Sequence, residues 1–136
     1  MDGVLWHDIQ PVENLAETFR SLEDMGLKVT FATNNATKSA SEFHQKLLGF
    51  GVAVDSQKIV TSADAALDYI EAHYAQGAHI FIVGSDSLQK QAKDRHLIAN
   101  SESDALMADV VLVALDTKVT YQKIALAAAL IRSGAQ

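Results

Sequence analysis

Apolar runs alternate in this sequence with segments whose apolar residues recur every three or four positions. The runs 79–83 and 109–115 are continuous, which is typical of strands buried on both faces. The segment 12–25, in contrast, places its apolar residues on one side of a helix. Buried strands that alternate with amphipathic helices are typical of a mainly parallel sheet covered by helices. The sequence therefore predicts an α/β fold.

The predicted elements run from one end of the chain to the other. The first helix, 12–25, has Pro11 in its first turn and Gly26 as its C-terminal cap. Ser39 and Glu42 form the capping box of a second helix, which stops at Gly49. The remaining predictions are a strand over 27–33, a helix from Thr61 or Ser62 to Tyr74, strands over 79–83, 97–99 and 109–115, and helices over 85–93 and 120–133. The most linker-like segment is 49–56, which places a boundary near residues 57–61.

Composition excludes several classes of protein. With no cysteine, the chain has neither disulfides nor zinc–thiolate sites. Its 17 acidic and 11 basic residues give a net charge of −6, and it lacks a basic run, which disfavours nucleic acid as a partner. We find neither a signal peptide nor an apolar stretch of about 18 residues that could span a membrane. A cytoplasmic protein with no membrane partner is the expectation.

Polar residues suited to binding phosphate occur in two predicted loops. One is Asp2–Trp6, and the other is Thr33–Asn35 at the end of the predicted strand 27–33. If a strand precedes Asp2, both loops lie at the carboxyl edge of the sheet, where ligands bind in open parallel sheets. A carboxylate there can hold Mg²⁺ and transfer a proton, while a hydroxyl and amide groups bind phosphate oxygens. The sequence thus predicts one phosphate-sized site.

The same residues resemble the motifs of a known family. Asp2-Gly3-Val4-Leu5-Trp6 and Phe31-Ala32-Thr33-Asn34-Asn35-Ala36-Thr37 resemble the haloacid dehalogenase (HAD) superfamily, subfamily IIA, which includes 4-nitrophenyl, phosphoglycolate and pyridoxal phosphate phosphatases. Those families begin with an apolar strand ending in Asp-x-Asp-Gly-Val-Leu-Trp, and their second motif is Thr/Ser-Asn-Asn. Further similarity at 60–63, 113–116 and 131–135 extends the resemblance over nearly the whole chain.

The resemblance implies a role for each motif residue. Asp2 is the general acid/base that protonates the leaving alcohol and later activates water, and its main-chain carbonyl is a Mg²⁺ ligand. Thr33 donates a hydrogen bond to the transferring phosphoryl group. Gly3 admits the phosphate, and Asn34 and Asn35 shape the substrate loop. The family reaction proceeds through an aspartyl-phosphate.

The resemblance also implies a domain organisation. Residues 1–58 correspond to a Rossmann-like HAD core whose first strand is missing, and residues 59–136 to part of an α/β cap of the C2 type. In the family the nucleophilic aspartate lies two residues before Asp2, and a lysine and an acidic pair follow the cap. We therefore expect a chain truncated at both ends that hydrolyses little by itself. The implied substrate is a small phosphorylated metabolite; glycolate, nucleotide, sugar and pyridoxal phosphates are all open, as is a homodimer formed through the cap.

Other interpretations of these residues remain open. The chain could be a noncatalytic α/β module that binds phosphate or a partner, whereas a receiver-like signalling domain is disfavoured because no paired acids lie near the first strand. Gly84–Ser87 could cradle an anion or simply cap a helix. Trp6 could pack beside the active loop or line the substrate entrance. The five histidines lack metal-ligand spacing, which favours surface or packing roles.

Overall fold

Parallel strands and α-helices alternate along most of the chain in the computed structural model, which describes residues 1–136. The strands are β1 (Trp6–His7), β2 (Gln10–Pro11), β3 (Phe31–Thr33), β4 (Ile59–Thr61), β5 (His79–Val83), β6 (Ile98–Asn100) and β7 (Val110–Val113). The α-helices are α1 (Leu15–Asp24), α2 (Ala40–Gly49), α3 (Ser62–His73), α4 (Asp86–Asp94) and α5 (Tyr121–Arg132). The predicted α/β class is confirmed. None of these helices has the length and apolar character that crossing a bilayer requires.

The larger sheet is built around β5 and is parallel throughout. Its strand order is β6-β5-β7, and Ile80 of β5 pairs with both Ala99 and Val110. On one face Ile80 and Ile82 join a buried cluster that includes residues of α3 and α4. On the other face Phe81 and Val83 join a cluster with Ala127 and Leu130 of α5. Since both faces are covered, every residue of this strand after His79 is buried, as its continuous apolar sequence predicts.

The smaller sheet contains only β3 and β4, which pair in parallel from Phe31 opposite Ile59 to Thr33 opposite Thr61. Phe31 and Ile59 pack into a cluster with Phe43 and Leu47 of α2 and with Trp6. β4 is not among the predicted strands, and the proposed division between residues 58 and 59 falls at its first residue. That division into core and cap stays a prediction.

The structure corrects the start of the first helix and the length of the first predicted strand. Pro11 lies in β2 opposite Trp6, so placing it in the first helical turn was wrong; α1 begins at Leu15. The physical reason is that the fixed φ of proline suits an edge strand as well as a helix start. The predicted strand 27–33 is reduced to Phe31–Thr33, because its partner β4 is only three residues long.

Local capping signals in the sequence are reproduced in the structure. Ser39 with Glu42, and Thr61 with Asp64, form complete capping boxes at the starts of α2 and α3. Gly26 follows the end of α1 with a φ of +71°, a conformation that favours glycine. These contacts join residues that are near neighbours in the chain, so they could be predicted from the sequence alone.

Candidate functional site

The two predicted loops meet at Asp2 and Asn35, which are 33 residues apart in the chain. The Asn35 side-chain amide donates a hydrogen bond from Nδ2 to Asp2 Oδ2 at 3.0 Å. Asn35 lies two residues beyond β3, at the carboxyl end of that strand, and Asp2 precedes a tight turn that leads into β1. The fold thus brings a carboxylate to the end of a parallel strand, where ligands of such sheets bind.

The loop after β3 is held by a short series of hydrogen bonds. Thr33 is buried, and its Oγ1 accepts the main-chain N–H of Asn35 at 3.2 Å. Asn35 Oδ1 in turn accepts the Thr37 N–H at 2.9 Å and the Thr37 hydroxyl at 2.6 Å. Because both donors of Thr37 face Oδ1, the amide nitrogen of Asn35 must point the other way, towards Asp2. Asn34 is exposed, and its main-chain carbonyl accepts the Ser62 hydroxyl at 3.0 Å.

Thr37 is a contributor that the sequence analysis missed. Its signal is the spacing Asn35-Ala36-Thr37, which suits an Asx turn in which the asparagine side chain accepts the N–H of the residue two positions later. The threonine hydroxyl adds the second hydrogen bond to the same oxygen. In this chain the turn orients the side chain that contacts Asp2.

The Asp2 carboxylate has hydrogen-bond donors on both oxygens. The Asn35 side-chain amide donates to Oδ2, and the indole N–H of Trp6 donates to Oδ1. The Asn35 hydrogen bond is the largest cause that lowers the pKa of Asp2; partial burial opposes it, while Trp6 and Lys46 add to the lowering. Asp2 is therefore held as a carboxylate in the absence of a ligand.

Gly3 follows Asp2 in a conformation that favours glycine. Its φ is +72°, and a Cβ there would have no heavy atom within 4 Å. Glycine is favoured at this position by its positive φ, and not because a side chain would collide with a neighbour. The space at the Cβ position of Gly3 is therefore open.

The acidic side chains do not form a complete metal site. No group of three or more His, Asp or Glu side chains lies close enough to hold a metal ion. Asp2 is the one acid in the two loops, and both of its carboxylate oxygens already accept hydrogen bonds. Since Mg²⁺ takes about six oxygen ligands in octahedral geometry, the Asp2 main-chain carbonyl, which the resemblance implies as a ligand, would supply only one of them.

A polar cleft of about 400 Å³ opens beside Thr37. Two ion pairs line it: Lys123 Nζ lies 2.9 Å from Asp116 Oδ2, and Lys118 Nζ lies 2.6 Å from Asp86 Oδ2. Only 4% of the Asp116 side chain is exposed, and the hydrogen bond from Lys123 is the largest cause that lowers its pKa. These lysines were not singled out from the sequence, because the fold alone places them beside the loop after β3.

The segment 84–87 lines the same cleft but acts as a helix start. Ser85 is the N-cap of α4, and its Oγ accepts the Leu88 N–H at 3.2 Å. Its hydroxyl also lies 3.4 Å from the main-chain carbonyl of Ala36. Of the two interpretations left open for this segment, the helix cap is the one the structure contains.

Comparison with known proteins identifies a family. The model of the haloacid dehalogenase-like hydrolases matches residues 1–98. Two curated relatives are a 5'-nucleotidase of Bacillus subtilis, 26% identical over 136 residues, and an acid sugar phosphatase of Staphylococcus saprophyticus, 28% identical over 136 residues. Each match covers 100% of this chain and 51% of the relative. The chain therefore spans about half the length of the curated relatives it matches.

Solved structures give the same picture of the fold. A hypothetical protein from Pyrococcus horikoshii OT3 is 31% identical with a TM-score of 0.89, and the match covers all of this chain and 54% of the other. Glycerol phosphate phosphatase from Mycobacterium tuberculosis, solved in complex with magnesium, is 29% identical with a TM-score of 0.83, over 99% of this chain and 40% of the other. The latter has also been solved with calcium. The α/β arrangement described above is thus shared with these proteins.

Proposed function

Because the chain belongs to the haloacid dehalogenase-like hydrolase family, we propose that it is part of a cytoplasmic phosphatase that uses Mg²⁺ and hydrolyses small phosphorylated metabolites through an aspartyl-phosphate. The observation that carries this proposal is the contact between Asp2 and Asn35. It joins a group capable of proton transfer to the loop that follows Thr33, and Gly3, where a Cβ would have no heavy atom within 4 Å, comes next to that group in the chain. Phosphoryl transfer requires both a proton for the leaving group and hydrogen bonds to the phosphoryl oxygens, which supports the proposal.

Asp2 has a defined task in this reaction. As the P–O bond to the alcohol breaks, the Asp2 carboxyl gives its proton to the leaving oxygen, and a nucleophilic aspartate forms the new bond to phosphorus. Asp2 then takes a proton from water as that water attacks phosphorus, which releases phosphate and restores the nucleophile. The pKa of Asp2 is lowered in the free site, and the negative charge of an arriving phosphate raises it, so substrate binding itself favours the protonated acid.

Thr33 and the main chain around it supply the contacts to the phosphoryl group. Thr33 Oγ1 accepts the Asn35 N–H, so the hydroxyl hydrogen remains available to donate to a phosphate oxygen. A Mg²⁺ ion would neutralise phosphate charge, with further acids from outside these residues completing its ligand set. The magnesium and calcium complexes of the mycobacterial phosphatase support a divalent cation, for which we propose Mg²⁺.

The printed names of the relatives support the proposed substrate class. They include a 5'-nucleotidase, acid sugar phosphatases and a glycerol phosphate phosphatase. For this chain we propose a phosphate monoester of similar size. Thr33 and Asn34 themselves line an open cleft of about 390 Å³ together with the hydroxyl-bearing residues Thr61 and Ser62, which suits a small hydrophilic ester.

The test begins with the reading frame upstream of Met1. We expect an apolar run ending in aspartate directly before Met1, which supplies the nucleophile; a stop codon there would favour the noncatalytic module. The open reading frame is then expressed and assayed with 4-nitrophenyl phosphate and Mg²⁺. We expect Asp2→Asn to lower kcat by about 10²–10⁴-fold, since a general acid contributes that much.

Asp8→Asn is the matched control. Asp8 is exposed on the hairpin near the same loop and has no side-chain hydrogen bond, so its neutralisation is expected to leave kcat unchanged. The 136 residues alone are expected to release no 4-nitrophenol above background, because the motif's first aspartate is not among them. Robust turnover by that chain, or full activity of Asp2→Asn, would contradict the proposal.

A further inference from the structure

Trp6 is almost completely buried although it lies in a two-residue strand near the start of the chain. Only 1% of its surface is exposed. Its ring stacks on Phe43 with centroids 6.3 Å apart, and it packs against Phe50 at 5.7 Å. Packing on these two rings fixes the plane of the indole and hence the direction of its N–H group. That N–H points to Asp2 Oδ1.

Lys46 of α2 also contacts the Trp6 ring. Its Nζ lies 4.2 Å from the centroid of the Trp6 ring, a distance at which a cation is attracted to the π face. The same ammonium group donates to the main-chain carbonyl of Asp8 at 2.9 Å, at the tip of the hairpin formed by β1 and β2. Lys46 of α2 thus contacts both the hairpin and Trp6, which lies in that hairpin.

We propose that Trp6 is a positioning residue that fixes the Asp2 carboxylate for proton transfer, an inference that rests on the proposed function. A carboxylate held through one oxygen can still rotate about its side-chain bonds. Asp2 is held through both oxygens by donors from separate elements, Trp6 of β1 and Asn35 after β3. Because a separate donor binds each oxygen, the Asp2 carboxylate is held in one orientation. Proton transfer requires such a fixed orientation of the acid.

The indole nitrogen distinguishes this role from simple packing. Stacking on Phe43 and tilted packing against Phe50 need only an aromatic ring, which phenylalanine also provides. The hydrogen bond to Asp2 needs the N–H, and a buried indole N–H usually requires a partner. Asp2 is its partner in this structure. Trp6→Phe therefore removes the positioning contact while keeping most of the packing.

The first experiment uses the fact that the chain has a single tryptophan. Its indole N–H gives one cross-peak in a ¹⁵N-correlated NMR spectrum of the 136-residue chain. We expect Asp2→Ala to move this cross-peak upfield and to speed its exchange with solvent at least about tenfold, because a charge-assisted hydrogen bond is lost. Asp24→Ala is the matched control: Asp24 is exposed at the end of α1, away from the indole, and the cross-peak should not move. An unchanged cross-peak in Asp2→Ala overturns the proposal.

The second experiment examines Asp2 itself. Three-bond couplings to the side-chain carbons should report one χ1 rotamer in the wild-type chain and an average of rotamers in Trp6→Phe. A single rotamer in both, with the amide spectrum otherwise preserved, overturns the positioning role. Asp2→Ala measures the same hydrogen bond without altering the core, so the proposal stays testable if Trp6→Phe fails to fold.

Kinetics of the expressed phosphatase separate this inference from the proposed function. Trp6→Phe is expected to lower kcat about tenfold with little change in KM, and to have no further effect in an Asp2→Asn background. An equal loss in both backgrounds overturns the inference while leaving the phosphatase proposal intact. If no hydrolysis is observed at all, the phosphatase proposal fails, and the two NMR experiments still decide whether Trp6 fixes Asp2.

Discussion

The sheet around β5 and the sheet of β3 and β4 differ in how they are covered. β5 has a parallel neighbour on each side and helices on both faces, and Ile80 is completely buried. The β3–β4 sheet is covered on the face of Phe31 and Ile59, whereas Ala32 is exposed on the other face and Val60 is 43% exposed. Asp2 and Asn35 belong to this less covered part.

This difference separates the part that carries stability from the part that carries the candidate chemistry. Buried apolar area is the main stabilising contribution in a domain, and it is concentrated around β5. A phosphate site must remain open to solvent, and its polar groups gain little from burial. We therefore expect substitutions to affect the two sheets unequally.

The largest effect on stability is expected from removing a side chain at the centre of β5. Ile80→Ala should lower the free energy of unfolding by about 2–5 kcal/mol, because it leaves a cavity among fully buried neighbours. Val60→Ala, at an exposed strand position, should cost less than about 1 kcal/mol. Urea unfolding followed by circular dichroism compares the two variants. Equal losses would show that the two sheets do not differ in this way.

A smaller effect, dependent on pH, is expected at Asp116. The pKa of its carboxyl is lowered, chiefly by Lys123, so its contribution to stability is fully present above the unfolded-state pKa of about 3.8 and is lost as pH falls through the lower folded-state pKa. Asp116→Asn should cost about 2 kcal/mol at pH 7. It should also flatten the loss of stability below pH 3.8. Thermal unfolding of the wild type and of Asp116→Asn between pH 2 and 7 measures this loss of stability. Curves of stability against pH that run parallel for the two proteins would contradict the prediction.

The smallest effect is expected at the start of α2, the helix that covers the smaller sheet. Ser39→Ala removes the hydroxyl that accepts the Glu42 N–H and should cost about 1 kcal/mol. Ser39→Thr keeps the hydroxyl that accepts the Glu42 N–H and donates to its carboxylate, and it serves as the conservative control, with stability expected near wild type. If Ser39→Ala destabilises the chain as much as Ile80→Ala, α2 carries more of the stability than its burial indicates.

Much of the fold follows from signals within a few residues of one another. The segment 79–83 is uninterruptedly apolar after His79 and forms the central strand with the predicted bounds. Ser39 and Glu42 are three residues apart and form the predicted capping box. Strands too short to show a period were not predictable; β1 and β2 have two residues each, and Pro11 suited a helix start equally well.

The candidate site could be predicted only in part for a related reason. The sequence singled out Asp2, Gly3, Thr33, Asn34 and Asn35, and the structure brings Asp2 and Asn35 into contact. Thr37 was recognised only once its hydrogen bonds to Asn35 were visible. Lys118 and Lys123 lie far along the chain and come to line the cleft beside Thr37 only in the folded structure.

The sequence by itself determined the α/β class, the family resemblance and the residue types of the phosphate loop, because periodicity, caps and motifs are encoded over short distances. Tertiary structure alone decided that Trp6 is buried and that its N–H meets Asp2 beneath a lysine from α2. Such contacts depend on the orientation of one ring among three separate elements. Orientation is set by side-chain packing, which no local pattern specifies.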